Sequence, residues 1–231
     1  MPTITITSPA GSFDAYEAGR GAASRVLFFM DGLGYRPTLW AMADRLAGHG
    51  HHVLLPNLYW RAGDVTFDPK SVFSNPAEID RMRKLLADVV TPDTTRADAA
   101  ACLAHLGDGK VATIGYCLGG GIAFQTACDF PDRVSAVASF HGGQFIVSPD
   151  APARIAKTLE ARAYVGVSEI DRSHTPEITQ KLEAAFAEAG VPHQIELYPG
   201  VAHGFCVADL PPYNAEAAER HWQRLISFLA V

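Results

Sequence analysis

The sequence has few of the features that mark secreted, membrane and metal-binding proteins. Of its 231 residues only four are cysteine. These are irregularly spaced and include no Cys-x-x-Cys pair, which argues against a disulfide framework and a structural zinc site. No apolar run approaches the roughly 20 residues of a membrane-spanning helix, and the N-terminal residues lack the basic and apolar regions of a signal peptide. We therefore expect a cytoplasmic protein that binds neither membrane nor metal.

The sequence also lacks an excess of positive charge and a recognisable cofactor motif. Lys and Arg number 19 against 25 Asp and Glu, which gives a net charge of −6. A nucleic-acid binder needs clustered Lys and Arg to neutralise phosphates, so we expect no nucleic-acid partner. Gly32-Leu33-Gly34 lacks the third glycine of a dinucleotide-binding loop, and residues 107–110 lack the spacing of a phosphate-binding loop. We expect a small-molecule substrate and no cofactor.

What the sequence does contain is an alternation of strand and helix patterns. Residues 25–30 form a continuous apolar run, as a central parallel strand buried on both faces requires. Residues 3–7 alternate Thr and Ile, which is typical of a half-buried strand, and are expected to pair with 13–16 as an antiparallel edge. Further strands are predicted at 52–55, 110–114, 134–141, 161–167 and 193–198, and helices at 38–47, 77–89, 94–106, 118–128, 176–189 and 213–229. We predict one α/β domain over residues 1–231, with a doubly wound, mostly parallel sheet and helices on both faces.

The sharpest signal is Gly115-Tyr116-Cys117-Leu118-Gly119, which places a cysteine on a tight turn between a strand and a helix. It fits the nucleophile-elbow pattern with cysteine in place of serine. Gly115 and Gly119 meet the need for small residues, because larger side chains at those positions would clash in such a turn. The helix that begins near Leu118 directs free N–H groups at the sulfur, which favours the thiolate and can hold an oxyanion. The alternative is a buried core cysteine beside packing glycines.

A histidine and two carboxylates follow in the order nucleophile, acid, base that a hydrolase with this elbow requires. His203 stands in a loop after the last predicted strand and before the last helix. The acid is expected after the strand 161–167, where Glu169 and Asp171 both stand. We favour Asp171, because its side chain is shorter and it lies nearer to the helix that would fix the loop. An ordinary surface carboxylate is the alternative for both, and His141, which ends another strand, is expected to be solvated or hydrogen-bonded.

Together these motifs resemble those of the dienelactone hydrolase family. The resemblance extends from Asp14 to Leu229, and its specific parts are residues 115–120, Asp171 before a helix, and the segment 198–205 that contains His203. Residues 56–61, Pro-Asn-Leu-Tyr-Trp-Arg, are similar to the family's Pro-Asp-Leu-Tyr-x-Arg. The resemblance implies an α/β-hydrolase fold, with Cys117, Asp171 and His203 as nucleophile, acid and base.

The resemblance also assigns residues around the nucleophile. The backbone N–H groups of Gly32 and Leu118 would form the oxyanion hole. Asp31 stands where the family places an acid that can pair with the cysteine, although a loop-turn aspartate is the alternative. Arg61 matches an arginine that binds the substrate carboxylate, a contact that a planar guanidinium suits. The family's second carboxylate-binding arginine is absent, because residues 205–207 are Phe-Cys-Val. That absence favours a larger or less charged ester.

These observations predict a cofactor-independent hydrolase of esters or lactones, acting as a monomer or small homo-oligomer. Loop aromatic residues are candidates for an apolar pocket: Tyr35, Trp60, Phe67, Phe73 and Phe205. Two alternatives stay open. One is a redox-sensitive or deglycase-like cysteine enzyme, which would share the Gly-x-Cys-x-Gly elbow. The other is a hydrolase fold that binds a small ligand without turnover.

Overall fold

Strands and helices alternate along the chain in the computed structural model of the protein, which describes residues 3–63, 65–142, 149–172 and 174–230. The strands in these ranges are β1 (Thr3–Ser8), β2 (Gly11–Ala18), β3 (Ser24–Phe29), β4 (His51–Pro56), β5 (Val111–Tyr116), β6 (Val134–Phe140), β7 (Arg162–Ile170) and β8 (His193–Ala202). The helices are α1 (Pro37–Gly48), α2 (Pro76–Val89), α3 (Pro92–His105), α4 (Leu118–Asp129), α5 (Ala151–Thr158), α6 (Pro176–Ala189) and α7 (Ala215–Leu229). None of these helices is long and apolar enough to cross a bilayer.

The strands form one sheet in the order β1-β2-β4-β3-β5-β6-β7-β8. β2 pairs antiparallel with both β1 and β4, whereas the remaining neighbours are parallel. The central strand β3 shows why this sheet needs cover on both sides. Its residues Val26, Leu27, Phe28 and Phe29 are all fully buried, so helices pack against both faces. The predicted α/β architecture with an antiparallel edge is confirmed.

Strand β8 is longer than the sequence predicts. It continues past residue 198 to Ala202, although it contains Pro199 and Gly200. β8 lies at the edge of the sheet, where a proline is tolerated because its missing N–H need not remove a ladder hydrogen bond. The pairing with β7 also shifts register between Ser168 and Ile170, which accommodates the extra residues.

Helix α5 is not predicted from the sequence. It has eight residues, and its buried positions are Ala151 and Ile155. Two apolar positions in a short segment give too little periodicity to distinguish a helix from a loop. The irregular stretch after β4 likewise contains two short 3₁₀ turns, Trp60–Ala62 and Val72–Ser74.

Four loops that follow the carboxyl ends of parallel strands place candidate catalytic side chains at one edge of the sheet. Asp31 lies just after β3, Cys117 follows β5, Asp171 follows β7 and His203 follows β8. Parallel strands present their carboxyl ends on the same side, where ligands bind in open α/β sheets. The topology therefore gathers side chains that are far apart in the sequence.

Candidate active site

Cys117 lies on the turn between β5 and α4 in a strained backbone conformation. Its φ of 52° and ψ of −119° are values that residues other than glycine rarely adopt. The backbone passes close to itself here. A Cβ on Gly115 would lie 2.0 Å from the Gly119 carbonyl oxygen, and a Cβ on Gly119 would lie 2.2 Å from the Phe29 carbonyl oxygen. Backbone contacts therefore explain the two glycines of the motif.

The two residues whose amide groups are expected to form the oxyanion hole border the same cavity as the thiol. Leu118 is the first residue of α4, so its N–H has no partner within the helix. Gly32 and Leu118 both line the cavity that Cys117 also lines. The Tyr59 hydroxyl holds the loop of Gly32 by donating a 2.6 Å hydrogen bond to the Gly32 carbonyl. Burial raises the pKa of Tyr59 far above its ordinary value, so this donor stays protonated.

His203 connects the thiol to a buried carboxylate. Its Nδ1 lies 2.7 Å from Oδ2 of Asp171, whose side chain is 4% exposed. His203 and Cys117 line the same cavity. Burial works against protonation of His203, but the hydrogen bond to Asp171 and the neighbouring Cys117 outweigh it and raise the pKa of this imidazole to about 10. The structure thus brings together the three residues that the sequence analysis expects to act as a triad.

The second acidic candidate, Glu169, makes a different contact. Its Oε2 accepts a 2.7 Å hydrogen bond from the backbone N–H of Gly200 at the protein surface. Asp171 instead faces inward, and Ser168 donates a 3.3 Å hydrogen bond to the same Oδ2 that faces His203. The geometry therefore pairs His203 with Asp171, as favoured from the sequence.

A second histidine, which the sequence analysis did not place in the site, packs behind His203. The His141 ring centroid lies 4.8 Å from that of His203, and His141 is 1% exposed. Its Nε2 lies 3.3 Å from Sγ of Cys206. Burial, and then the neighbouring His203, lower the pKa of His141 well below its ordinary value, so the ring is neutral. Its position at the end of β6, on the same edge as Cys117, is the signal that could have identified it.

Asp31 is bound by an arginine rather than directed at Cys117. Arg36 Nη1 and Nη2 lie 2.6 and 2.8 Å from the two oxygens of Asp31, and the N–H of Leu33 donates to Oδ1 at 2.9 Å. Arg36 also binds Asp209 through Nε and Nη2 at 2.7 and 3.0 Å. This differs from the expectation that Asp31 pairs with the cysteine. Arg36 occupies both carboxylate oxygens because it lies in the same loop.

Arg61, which the resemblance implies as a ligand for a substrate carboxylate, binds a carboxylate of the protein in this structure. Its Nη1 and Nη2 bind the two oxygens of Asp98 at 2.7 and 2.9 Å, and its guanidinium stacks on Trp60. It is not among the described residues that line the cavity. Its hydrogen-bonding fork is therefore directed at a carboxylate of the protein.

A cavity of about 970 Å³ opens above Cys117 and His203. Its walls are mainly aliphatic, with contributions from the Asp31 loop, α2 and the segment after His203: Leu33, Met82, Leu86, Ala87, Val90, Pro92, Leu118, Leu210, Pro211 and Pro212. Of the five aromatic residues expected here, Phe73 lines the cavity, whereas the other four pack elsewhere, as Phe67 does on Tyr59. In the described part of the chain, no group of three or more His, Cys, Asp or Glu residues could hold a metal ion.

Comparisons with known proteins identify the family of this chain. A family model for the dienelactone hydrolase family matches residues 13–231. A carboxymethylenebutenolidase from Rhodococcus opacus is 28% identical over 217 residues, which cover 90% of this chain and 81% of the relative.

Solved structures show the same fold. A dienelactone hydrolase-like promiscuous phosphotriesterase from metagenomic libraries superposes with a TM-score of 0.75 at 21% identity, over 99% of this chain and 96% of that one. A dienelactone hydrolase from Anabaena variabilis gives a TM-score of 0.70 at 18% identity, over 99% and 95%. The chain therefore belongs to the dienelactone hydrolase family, a family of hydrolases that act on ester and lactone bonds.

Proposed function

We propose that this hydrolase cleaves its substrate through a covalent acyl-enzyme on Cys117, with His203 as the proton carrier and Asp171 as its orienting acid. The observation that carries the proposal is that Cys117, on a strained elbow, shares one cavity with His203, whose Nδ1 is held by Asp171. A nucleophile, a base within hydrogen-bond reach and a third group that orients the base are the requirements of covalent acyl transfer.

For the attack, Cys117 gives its proton to His203 and reacts as a thiolate. His203 suits this role because the hydrogen bond to Asp171 and the neighbouring Cys117 outweigh burial and raise the pKa of the imidazole to about 10. The thiolate attacks the carbonyl carbon, a C–S bond forms, and the carbonyl π electrons move to oxygen. The backbone N–H groups of Gly32 and Leu118 stabilise this oxyanion as charge develops on it.

Collapse of the tetrahedral intermediate then breaks the bond to the leaving group. His203 donates its proton to the departing alkoxide, which leaves a neutral imidazole and a thioester on Cys117. The imidazole next takes a proton from water, and the resulting hydroxide attacks the thioester carbonyl. The C–S bond breaks, the carboxylic acid departs, and the thiolate–imidazolium pair is restored. Asp171 keeps Nδ1 of His203 protonated throughout, so that Nε2 faces the reacting atoms.

The proposal is tested by trapping the acyl group. Mixing the enzyme with p-nitrophenyl acetate should give a burst of nitrophenol, and the mass of the Cys117 peptide should rise by one acetyl group. The Cys117→Ala variant should show neither. Cys128→Ala is the matched control, because Cys128 is a buried thiol on α4 away from the cavity lining. Equal turnover by Cys117→Ala and the wild type would overturn the proposal. Ligand binding without acetylation of the wild type would favour a non-catalytic role.

A further inference from the structure

The cavity over Cys117 is bordered by helix α2, whose apolar residues pack partly buried against the core and also line the cavity. Met82 and Leu86 are four residues apart, which places them on one face of the helix, and Val90 follows directly after its last residue. None of the helical residues of α2 is buried. Leu210 and the two prolines after it line the cavity too. A substrate beneath α2 therefore meets aliphatic surface.

The charged groups that line the cavity are either neutralised or at its mouth. Both oxygens of Asp31 are bound by Arg36. The Arg83 side chain is 73% exposed, and its Nη1 lies 3.5 Å from a carboxylate oxygen of Asp80. Arg61 is bound to a carboxylate of the protein and lies outside the described lining. The remaining cation of the lining, His203, is already bound to Asp171. A carboxylate moved from water into such a cavity would therefore lose hydration without gaining a cation that lacks a carboxylate partner.

The position of α2 also indicates which part of an ester would lie beneath it. The Met82 sulfur would lie 3.8 Å from a Cβ built on Gly32, so this helix stands beside the expected oxyanion hole. The leaving group of the ester must face His203 to receive its proton. The acyl chain is therefore the part that can extend from Cys117 along α2.

We propose that the preferred substrate is a neutral ester with an extended apolar acyl group seated under α2. This inference rests on the proposed Cys117 chemistry and adds the class of acyl group. A cavity of about 970 Å³ is far larger than acetyl requires, and each methylene buried against Met82, Leu86 or Leu210 adds apolar contact. Burial of one methylene is worth up to about a fourfold gain in binding.

The test compares three p-nitrophenyl esters on the same enzyme: acetate, hexanoate, and the adipate monoester, which carries a carboxylate in place of the terminal methyl of hexanoate. At roughly two- to fourfold for each of the four added methylenes, kcat/KM for hexanoate should exceed that for acetate by roughly 16- to 250-fold. Adipate monoester should fall at least about tenfold below hexanoate, because its carboxylate must be desolvated.

Two matched variants on α2 test whether the preference for hexanoate arises in the cavity. Leu86→Arg puts a cation into the lining, so it should reduce the hexanoate-to-acetate ratio about tenfold or more and raise the adipate-to-hexanoate ratio. Leu85→Arg makes the same change one position away, at a residue outside the described lining, and should leave both ratios within about twofold of wild type. Each ratio compares two substrates on one preparation, so partial unfolding cancels. Leu86→Ala provides a milder change, with a smaller fall in the hexanoate preference.

The outcomes separate this inference from the catalytic proposal. Equal kcat/KM for acetate and hexanoate in the wild type, or preference for adipate that Arg83→Ala removes, would overturn the apolar acyl assignment while Cys117-dependent turnover stood. Turnover of acetate that survives Cys117→Ala would instead overturn the catalytic proposal itself.

Discussion

Arg36 binds Asp31 with both terminal nitrogens and simultaneously binds Asp209, which lies in the segment that follows His203. The Gly34 carbonyl accepts the remaining N–H at 3.2 Å, so all five guanidinium donors have partners. One buried side chain thus ties the loop that carries the expected oxyanion amide to the segment that carries the base. The two sides of the site are held at a fixed separation through this residue.

Replacing Arg36 with leucine should strongly destabilise the protein. Asp31 and Asp209 would both lose the cation that binds them, and the side chain of Asp31 is only 3% exposed. Breaking a buried ion pair by removing one member typically costs about 3–5 kcal/mol, because the other charge stays buried. Urea unfolding should therefore show a much lower free energy of unfolding for Arg36→Leu.

Arg45→Leu provides the control for that measurement. Arg45 pairs with Glu219 at 2.8 Å, but the two side chains are 38% and 54% exposed. Exposed pairs contribute at most about 1 kcal/mol. Equal destabilisation by Arg36→Leu and Arg45→Leu would contradict a structural role for the buried pair.

The elbow should tolerate no side chain at Gly119. In Gly119→Ala the new methyl would lie 2.2 and 2.5 Å from the carbonyl oxygens of Phe29 and Met30, which are backbone atoms and cannot rotate away. We expect a loss of about 3 kcal/mol or more in the free energy of unfolding, or no folded product. Gly48→Ala, at the end of α1 with open space around it, should be neutral or stabilising by up to about 1 kcal/mol. Full stability of Gly119→Ala would show that the turn can open.

The elbow and the order of the triad are predictable because the spacing of the motif and the order of the residues are visible in the sequence. Gly115 is required by a contact with Gly119 in the same turn, whereas Gly119 is required by the backbone at the end of β3. The strand pattern alone places Asp171 and His203 after their strands. Parallel pairing then brings those strand ends together, as the residue order implies. These features need no knowledge of how distant loops pack.

The side-chain partners around the site are not predictable in this way. Arg36 binds Asp209, which is 173 residues away in the sequence, and Arg61 binds Asp98, which is 37 residues away. Both contacts depend on how loops fold over the sheet. The family resemblance implies that Arg61 binds a substrate carboxylate, whereas in the structure its guanidinium binds Asp98. The expectation that loop aromatic residues line the cavity fails for the same reason, because tertiary packing decides which of them reaches it. Among the described residues, Phe73 is the one of those five that lines the cavity.

Asp171→Asn and Glu169→Gln should separate the two acidic candidates. Asparagine at 171 removes the negative charge that orients His203 and stabilises its protonated form, so kcat/KM should fall about 10²- to 10⁴-fold. Glu169→Gln changes a residue that contacts the Gly200 N–H and keeps an oxygen acceptor there, so activity should stay within about threefold of wild type. A larger loss in the glutamine variant would reassign the acid.

The last prediction concerns the proton on His203. Burial lowers the pKa of this imidazole, but the hydrogen bond to Asp171 and the neighbouring Cys117 outweigh burial and raise the pKa to about 10. Cys117→Ala removes the contribution of the thiol, so the pKa of His203 should fall, while Asp171 continues to raise it. A histidine-ring NMR titration measures both values. Wild-type titration near about 6.5, the ordinary value for histidine, would contradict the thiolate–imidazolium pair.

The raised pKa of His203 also predicts how the free energy of unfolding changes with pH. The pKa of His203 in the folded protein lies above the about 6.5 of an unfolded histidine, so the folded state holds this proton more tightly. Its contribution is complete below about pH 6.5 and is lost as pH rises through the folded-state pKa. His203→Gln removes the titrating group and should flatten this part of the stability profile. Urea unfolding of both proteins between pH 6 and 10 tests the prediction, and parallel profiles would show that His203 binds its proton no more tightly when the protein is folded.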